Sequence, residues 1–309
     1  MAGSPERLKT MKLATTTGDF TIWGVGYEES IKLIKEAGFK YIDISLNAAI
    51  CESPTYLEDA KRLRDYAEKL GVEFVQAHSP GGNAFKKEKL EQLITMTNHS
   101  FEICEILGIP HTVVHSGWKN DCSRDEYHSE NLKFYERLYP TMEKTGVSAL
   151  IENTTSKNIS RDTYCFFDAV QMLDFLKEAN HPLMHAVWDT GHGNTEGNQY
   201  EQLVTLGKEL YGIHVHDNTE HGDEHLIPFL GTLNMDDLIN GLIDANYQGC
   251  FTFEAIATLR KANSRQGKRH VFEKDTRLLN PTLEMQVDLE RLLYTIGKHC
   301  LSAYDLFEG

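Results

Sequence analysis

The chain has 309 residues, of which 40% are hydrophobic and 25% are charged, a composition typical of a folded globular protein and not of a disordered one. Its 31 Lys and Arg against 46 Asp and Glu give a net charge of −15, which disfavours non-specific binding to nucleic acid or to an anionic membrane. No apolar run approaches the roughly 20 residues of a membrane-spanning helix, so we expect no membrane partner and no nucleic-acid partner.

The N-terminal residues and the cysteines bear on the cellular compartment of the protein. Residues 1–11 lack the apolar stretch of a secretory signal, and we interpret them as an N-terminal arm outside the fold. The six cysteines are dispersed and form no CxxC pair, a pattern typical of reduced thiols. The sequence therefore predicts a cytoplasmic protein with a single domain over residues 12–309.

Strand-like and helix-like segments alternate along the chain. The β-rich runs are predicted as eight strands: Leu13–Thr17, Tyr41–Leu46, Glu73–Ser79, His111–Ser116, Ser148–Asn153, Met184–Gly191, Tyr211–Asp217 and Cys250–Ile256. Helical periodicity predicts a helix after each strand, over Tyr27–Ala37 and about residues 57–70, 90–107, 125–145, 165–179, 200–209, 235–246 and 282–302. A short polar loop is predicted at residues 194–198.

This alternation predicts an α/β fold in which helical crossovers join parallel strands. Eight such units are the number that closes a single (β/α)8 TIM barrel. An open doubly wound sheet is the alternative, but no glycine-rich phosphate-binding turn follows the first strand. We therefore expect the barrel.

A basic segment follows the eighth predicted strand, near residues 259–281. Residues 259–277 contain seven Lys or Arg and two acidic residues, so this segment carries +5 on a chain that otherwise carries −20. Its length exceeds the usual loop of about two to six residues between a strand and its helix. Two interpretations stay open: a lid whose cations meet an anionic substrate, or a surface insertion that contacts a neighbouring subunit of a homo-oligomer.

Metal-ligand side chains occur at the carboxyl ends of six successive predicted strands. In chain order these residues are His78, His115, Glu152, Asp189 with His192, His214 with His216 and the trailing Asp223 and His225, and Glu254. In a parallel barrel such ends meet at one mouth, where active sites are built. Carboxylates and imidazoles crowded there would repel one another unless a divalent cation binds among them. The ligand chemistry suits Zn²⁺ or Mn²⁺, with Mg²⁺ and Co²⁺ as further candidates.

These motifs, taken in order, resemble those of the xylose isomerase-like barrel superfamily, which contains sugar isomerases and epimerases and also zinc-dependent apurinic-site endonucleases. The motifs are Ile-Glu-Asn in strand five, Asp-Thr-Gly-His in strand six, His-Val-His-Asp in strand seven with the trailing Asp-Glu-His, and Phe-Glu in strand eight. The resemblance covers residues 11–300. It implies a TIM barrel that carries out metal-dependent chemistry on a small sugar or sugar derivative.

The epimerase branch of this superfamily holds one divalent metal with four ligands, which the resemblance places on Glu152, Asp189, His216 and Glu254. Since strand residues alternate between two faces, His214 points to the same side as His216, and the sequence leaves both open. The endonuclease branch uses nine ligands for three zinc ions, and all nine residue types are present. The further metal or substrate ligands implied in this way are His78, His115, His192, Asp223 and His225.

Two departures favour sugar chemistry over phosphodiester hydrolysis. In the endonucleases, bulky residues that push into the DNA stack follow the His-x-Pro of strand three, whereas here residues 78–80 precede Gly-Gly-Asn. The net charge of −15 also disfavours a role that requires contacts to several phosphates. The first hypothesis is therefore an isomerase or epimerase. The alternative is a three-metal phosphodiesterase similar to the apurinic-site endonucleases, and a binding protein without chemistry is a third class.

The first hypothesis assigns roles to particular side chains. An isomerase or epimerase removes a proton next to a carbonyl, and a divalent metal stabilises the resulting enediolate. Glu152 and Glu254, on strands across the mouth from each other, are the predicted catalytic acid and base. Substrate contacts are predicted for His192 through a hydrogen bond, for Trp118 and Trp23 through stacking, and for Asn153; structural roles for each are the alternative.

Overall fold

A computed structural model, described for residues 10–21, 23–160, 162–259 and 280–308, shows eight parallel strands that curl into a barrel. The strands are β1 (Met11–Thr16), β2 (Tyr41–Ser45), β3 (Glu73–His78), β4 (His111–Val113), β5 (Ser148–Glu152), β6 (Met184–Asp189), β7 (Leu210–His214) and β8 (Phe251–Phe253). Their order around the barrel is β7-β6-β5-β4-β3-β2-β1-β8. The Val215 N–H donates to the Thr252 carbonyl at 2.8 Å and joins β7 to β8. The predicted (β/α)8 TIM barrel is confirmed.

Helices surround the barrel. The α-helices of the described residues are α1 (Gly18–Thr21), α2 (Tyr27–Ala37), α3 (Ala48–Cys51), α4 (Tyr56–Leu70), α5 (Leu90–Leu107), α6 (Arg124–Glu136), α7 (Tyr139–Thr145), α8 (Ala169–Ala179), α9 (Thr190–Glu196), α10 (Gln199–Leu206), α11 (Met235–Asp244) and α12 (Leu283–Ala303). Short 3-10 turns occur at Lys87–Lys89, Ser156–Asn158 and Gly207–Glu209. Among these helices, none is long and apolar enough to cross a membrane.

Two predicted elements, one helix and one loop, need correction. The helix predicted over residues 125–145 is two helices, because Pro140 lacks the N–H and its ring excludes the carbonyl that a continuing helix would place four residues earlier. Residues 194–198, predicted as a loop, belong mostly to α9. The Asp189 side chain begins α9 by accepting a hydrogen bond from the His192 N–H at 2.7 Å, so that one residue both caps a helix and faces the barrel mouth.

The first and the last described strands pair with each other. A short strand, β9 (Phe307–Glu308), pairs with β1 through Met11 and was not predicted. Met11, which the sequence analysis assigned to the arm, is therefore the first residue of β1. The basic segment lies outside the described residues over positions 260–279. All six cysteines are free, and five of them are buried.

Most of the core lies between the sheet and the helices, while a small apolar cluster of Val113, Leu150 and Val187 lies apart from it. The barrel strands are shorter than predicted at their carboxyl ends. For example, β4 ends at Val113 and β8 at Phe253, so that His115 and Glu254 lie just beyond their strands. The strand ends therefore hold the site residues at the mouth, and the first loop residues complete the site.

A buried pair of carboxyl groups comes from α1 and α12. Asp19 and Glu290 are almost fully buried, and the Thr15 hydroxyl donates to Glu290 Oε1 at 2.6 Å. Burial, and next the proximity of Glu290, raise the pKa of Asp19 well above its usual range. Burial also raises the pKa of Glu290 to about 7. Both shifts favour the protonated forms, and a proton on the pair lets one carboxyl group donate a hydrogen bond to the other.

We expect Glu290→Gln to remove part of the pH dependence of stability. The pKa of Glu290 is about 7 in the native state and about 4.5 in the unfolded state. Between these pH values the native state binds a proton that the unfolded state has lost. The free energy of unfolding therefore decreases as the pH rises from about 4.5 to 7. Relative to the variant, the wild type should lose about 1–3 kcal/mol of unfolding free energy over this range.

Urea unfolding at several pH values measures this difference. Glu284→Gln, an exposed change on the same helix, is the matched control and should follow the wild type. Identical pH profiles for Glu290→Gln and the wild type would contradict the assigned protonation of the pair.

Candidate active site

The barrel mouth encloses a cavity of about 290 Å³. Nine residues singled out from the sequence line it: His78, His115, Trp118, Glu152, Asn153, His192, Asp223, His225 and Glu254. Asp189 and His216 are fully buried beside the cavity. Trp23 is half-buried and does not line it. The structure thus brings most of the predicted site residues to one place.

The ligand-type side chains form three sets, in each of which one ligand atom per residue lies within 4.8 Å of the others. The first triad is His78, His115 and Glu152; the central set is Glu152, Asp189, His214 and Glu254; the second triad is His192, Asp223 and His225. Glu152 belongs to both the first triad and the central set. The second triad adjoins the central set, because His192 Nδ1 lies 3.5 Å from Asp189 Oδ1 and His225 Nδ1 lies 3.9 Å from Glu254 Oε2. The three sets are therefore parts of one continuous polar centre.

The first triad converges on a common point. The Nε2 atoms of His78 and His115 are 2.8 Å apart, and His115 Nε2 is 2.8 Å from Glu152 Oε2. His78 Nδ1 lies 2.8 Å from the Ser79 carbonyl oxygen, which can only accept a hydrogen bond, so Nδ1 carries the proton. The free Nε2 lone pair therefore faces the triad, as in histidines that bind metals.

The second triad repeats this arrangement. His192 Nδ1 donates to the Asn153 carbonyl and His225 Nδ1 donates to the Glu254 carbonyl, both at 2.9 Å. Their Nε2 atoms lie 3.5 Å and 3.0 Å from the two oxygens of Asp223. Burial lowers the pKa of His225, but the adjacent Asp223 carboxylate outweighs burial and raises it to about 10. Backbone carbonyls thus fix the orientation of both rings.

A paired stretch of backbone brings the second triad to the mouth. Asp217 and Leu226 exchange two backbone hydrogen bonds of 2.7 and 2.9 Å, which close the loop between them. The loop therefore leaves the end of β7 and returns beside it, and Asp223 and His225 lie on the returning side. The sequence showed these two residues but not the hydrogen bonds that return them to the barrel.

The central set occupies the ends of four strands. Glu152, Asp189 and His214 are the last residues of β5, β6 and β7, and Glu254 follows β8 directly. His214 Nδ1 lies 2.7 Å from Glu152 Oε1 and 3.4 Å from Glu254 Oε2. Burial raises the pKa of Glu152, but His115 and His214 outweigh burial and hold it well below its ordinary value. Burial lowers the pKa of His214, but the carboxylates, Glu254 foremost, hold it well above its usual range.

The structure places His214, and not the favoured His216, in the central set. His216 Nε2 lies 2.9 Å from Asp189 Oδ1 and 3.7 Å from Asp223 Oδ1, between the central set and the second triad. Its ring occupies space that a side chain at position 191 would fill, because a Cβ on Gly191 would lie 1.9 Å from His216 Cε1. Both histidines face inward, as strand alternation requires. They differ in the distances from their ring nitrogens to the carboxylate oxygens.

Two asparagines support the site. The Asn153 side chain exchanges hydrogen bonds with the backbone of Asp189, donating to its carbonyl at 3.0 Å and accepting from its N–H at 2.6 Å. The Asn83 side chain likewise donates to the carbonyl of Trp118 at 2.7 Å and accepts from its N–H at 3.1 Å. Trp118 is thereby held at the cavity wall with 38% of its surface exposed. The sequence did not indicate Asn83.

Other residues line the cavity without having been predicted. They include Gly82, Ser116, Tyr127, Thr154, Thr155, Cys165 and Ile256. Most of them belong to loops or to the flanking helix α6, where no strand pattern predicts which way a side chain points. Cys165 belongs to none of the three sets. The donor set is therefore one of imidazoles and carboxylates, which fits a divalent metal such as Zn²⁺, Mn²⁺ or Co²⁺.

Comparison with known structures shows the same fold in sugar epimerases. D-psicose 3-epimerase from Clostridium cellulolyticum, solved with D-tagatose, is 16% identical with a TM-score of 0.75, covering 94% of this chain and 99% of that one. The 3-keto-D-glucoside 4-epimerase of E. coli is 18% identical with a TM-score of 0.67, covering 92% and 99%. Identities this low show a common fold alone.

Sequence comparison gives the family. An uncharacterized protein of Methanocaldococcus jannaschii is 26% identical over 220 residues, which are 66% of this chain and 72% of that protein. The family model of the xylose isomerase-like TIM barrel matches residues 31–274, which is most of the chain. The resemblance inferred from the strand-end motifs is thereby confirmed, and this protein belongs to the xylose isomerase-like TIM barrel family.

Proposed function

We propose that the protein is a divalent-metal-dependent isomerase or epimerase of a sugar or sugar derivative. The observation that carries the proposal is the central set, in which two glutamates, Glu152 and Glu254, face the cavity and flank the buried His214. A pair of carboxylates beside a metal site is what proton transfer at a carbon next to a carbonyl requires. The structural likeness to sugar 3-epimerases supports the choice of substrate class.

The cavity supports a small substrate without a phosphate group. Its volume of about 290 Å³ is at the lower end of small-molecule sites, which span roughly 300–1,000 Å³. No Lys or Arg is found among the described residues that line it, so the cavity offers a phosphate imidazoles but no guanidinium or ammonium group. Trp118 offers an apolar face to the C–H face of a sugar, and Ser116 offers a hydroxyl. An uncharged monosaccharide fits these features.

The protein's own residues would divide the work as follows. The central set would hold the metal, which when bound stabilises negative charge on the sugar oxygens as a C–H proton leaves. Glu152, held ionised by its histidine neighbours, would accept that proton, and Glu254 would exchange a proton on the other side. His192 and Trp118 would contact the substrate. Asn153 would position Asp189, since both its amide atoms are engaged with that residue's backbone.

The first test is proton exchange on candidate substrates. We expect the wild type to exchange a carbon-bound hydrogen of a ketose or a keto-glycoside with solvent deuterium, as followed by NMR over D-fructose, D-tagatose, D-psicose and a 3-keto-D-glucoside. Glu152→Gln and Glu254→Gln should each lower exchange by about 10²- to 10⁴-fold, because glutamine cannot carry the proton.

Glu220→Gln, an exposed glutamate in the loop after β7, is the matched control and should exchange like the wild type. Melting temperatures close to that of the wild type would show that the two site variants are folded. Full exchange in either variant would contradict the assigned acid and base.

The second test concerns the metal. A metal that binds only the folded state stabilises it by RT ln(1 + [L]/Kd), about 2.7 kcal/mol at a hundredfold excess over Kd. We therefore expect a strong chelator to lower the melting temperature by several degrees and Zn²⁺ or Mn²⁺ to restore it. Asp189→Asn, which weakens one ligand of the central set, should show a smaller chelator effect. A melting temperature indifferent to the chelator would contradict a tight site.

Phosphodiester hydrolysis is the second candidate, and one observation favours it. The first triad shares Glu152 with the central set, and the second triad adjoins that set through His192 and His225, so the described residues offer donors for up to three metals. Elemental analysis of the metal-saturated protein gives the count. Retention of three zinc ions with nicking of an abasic DNA duplex at nanomolar enzyme would replace the sugar proposal. We expect no nicking, because the cavity is narrow and the chain is acidic.

A further inference from the structure

A line of buried polar side chains crosses the barrel interior below the central set. Asp43 on β2, Gln76 on β3 and His214 on β7 are each 1% exposed. Gln76 Nε2 donates to Asp43 Oδ2 at 2.8 Å, and His214 Nε2 donates to the same oxygen at 3.2 Å. The other ring nitrogen, His214 Nδ1, faces Glu152 at 2.7 Å. The line thus runs from one wall of the barrel to the ligand atoms.

These polar groups occupy the barrel interior, which in most TIM barrels is filled with branched apolar side chains. Burying them has a cost unless their hydrogen bonds are made, and a carboxylate at this depth needs donors in particular. Here one oxygen of Asp43 receives both donors, while its Oδ1 has no hydrogen-bond partner within the described part of the chain. The arrangement does not maximise stability, which points to a role in the site above it.

A glycine makes room for this line. Gly212 lies on β7 two residues before His214, and a Cβ there would lie 2.5 Å from Gln76 Oε1 and 3.0 Å from Leu150 Cδ1. The Gln76 side chain therefore reaches across the barrel only because position 212 carries no side chain. Gly212, Gln76 and Asp43 form one packed unit behind the His214 ring.

We propose that Asp43, oriented by Gln76, is a positioning residue that sets the metal affinity of the central set. By accepting the Nε2 hydrogen of His214, the Asp43 carboxylate fixes the tautomer and the tilt of the ring, so that Nδ1 points at the carboxylates of the central set. Carboxylate–histidine pairs of this kind hold metal-binding histidines and raise their basicity. The inference rests on the metal centre of the proposed function but not on its substrate.

The test measures metal affinity and not activity. Co²⁺ is titrated into the metal-free protein in competition with a chromogenic chelator, and its visible absorption bands are recorded. Glu254→Gln, which changes a ligand of the central set, identifies the bands that belong to that set. We expect Asp43→Asn, which keeps the shape but loses the negative charge, to weaken Co²⁺ binding at that set by about 10- to 100-fold.

Gly212→Ala is the second variant, because it displaces the end of Gln76 without changing Asp43 or His214. It should weaken binding in the same direction but less. Thr252→Val is the matched control: this threonine is fully buried on β8, and its hydroxyl has no hydrogen-bond partner among the described residues. Its Co²⁺ affinity and its spectrum should equal those of the wild type.

The outcomes separate the two proposals. A wild-type protein that binds no Co²⁺ overturns the metal centre itself. Wild-type affinity in both Asp43→Asn and Gly212→Ala, even with a lowered melting temperature, overturns the positioning role and leaves a structural one. If Asp43→Asn does not unfold cooperatively, the affinity of Gly212→Ala relative to Thr252→Val decides the question.

Discussion

The site depends on the balance of charge around Glu152. This carboxylate is almost fully buried, yet it stays ionised because imidazoles contact both of its oxygens: His214 at Oε1 and His115 at Oε2. Without those partners burial would favour the neutral acid. The same contacts join the first triad to the central set, so Glu152 connects side chains at or just beyond the ends of β3, β4, β7 and β8.

Main-chain carbonyl groups orient the imidazole rings of this centre. In His78, His192 and His225, a main-chain carbonyl takes the Nδ1 hydrogen, and the Nε2 atom is left to face the cavity. A carbonyl can only accept, so this preference for one tautomer follows from the fold and does not require a metal to be present. The rings are therefore organised before any ligand binds, which lowers the cost of binding one.

Proton chemistry on a small sugar and hydrolysis of a phosphodiester both call on such a centre, and the fold is shared by enzymes with different chemistries. The residues of the cavity wall bear more on the choice between these two chemistries than the metal-ligand side chains do. The proposal of a small sugar substrate depends on these walls: the cavity is about 290 Å³, and Trp118, held by Asn83, forms part of its wall. Gly82, in the loop after β3, lines the same cavity and adds no side chain to that wall.

The order of local patterns along the chain was enough to predict the barrel. Eight short β-rich runs alternate with helical periods, and both signals depend only on residues close together in the sequence. The types of site residue were visible for the same reason, because parallel strands bring their carboxyl ends together. Glu152, Asp189 and Glu254 were singled out in this way, and the structure places one oxygen of each within 4.8 Å of the others.

Only the tertiary structure decided how those neighbours are arranged. His214 and His216 share a face, so their distances to the carboxylates, and not their spacing, assign His214 to the central set. Asp43 and Gln76 are polar residues within strands, and a sequence shows neither that they meet nor that Gly212 leaves them room. Contacts across a barrel join residues far apart in sequence, and their geometry depends on the register and curvature of the whole sheet.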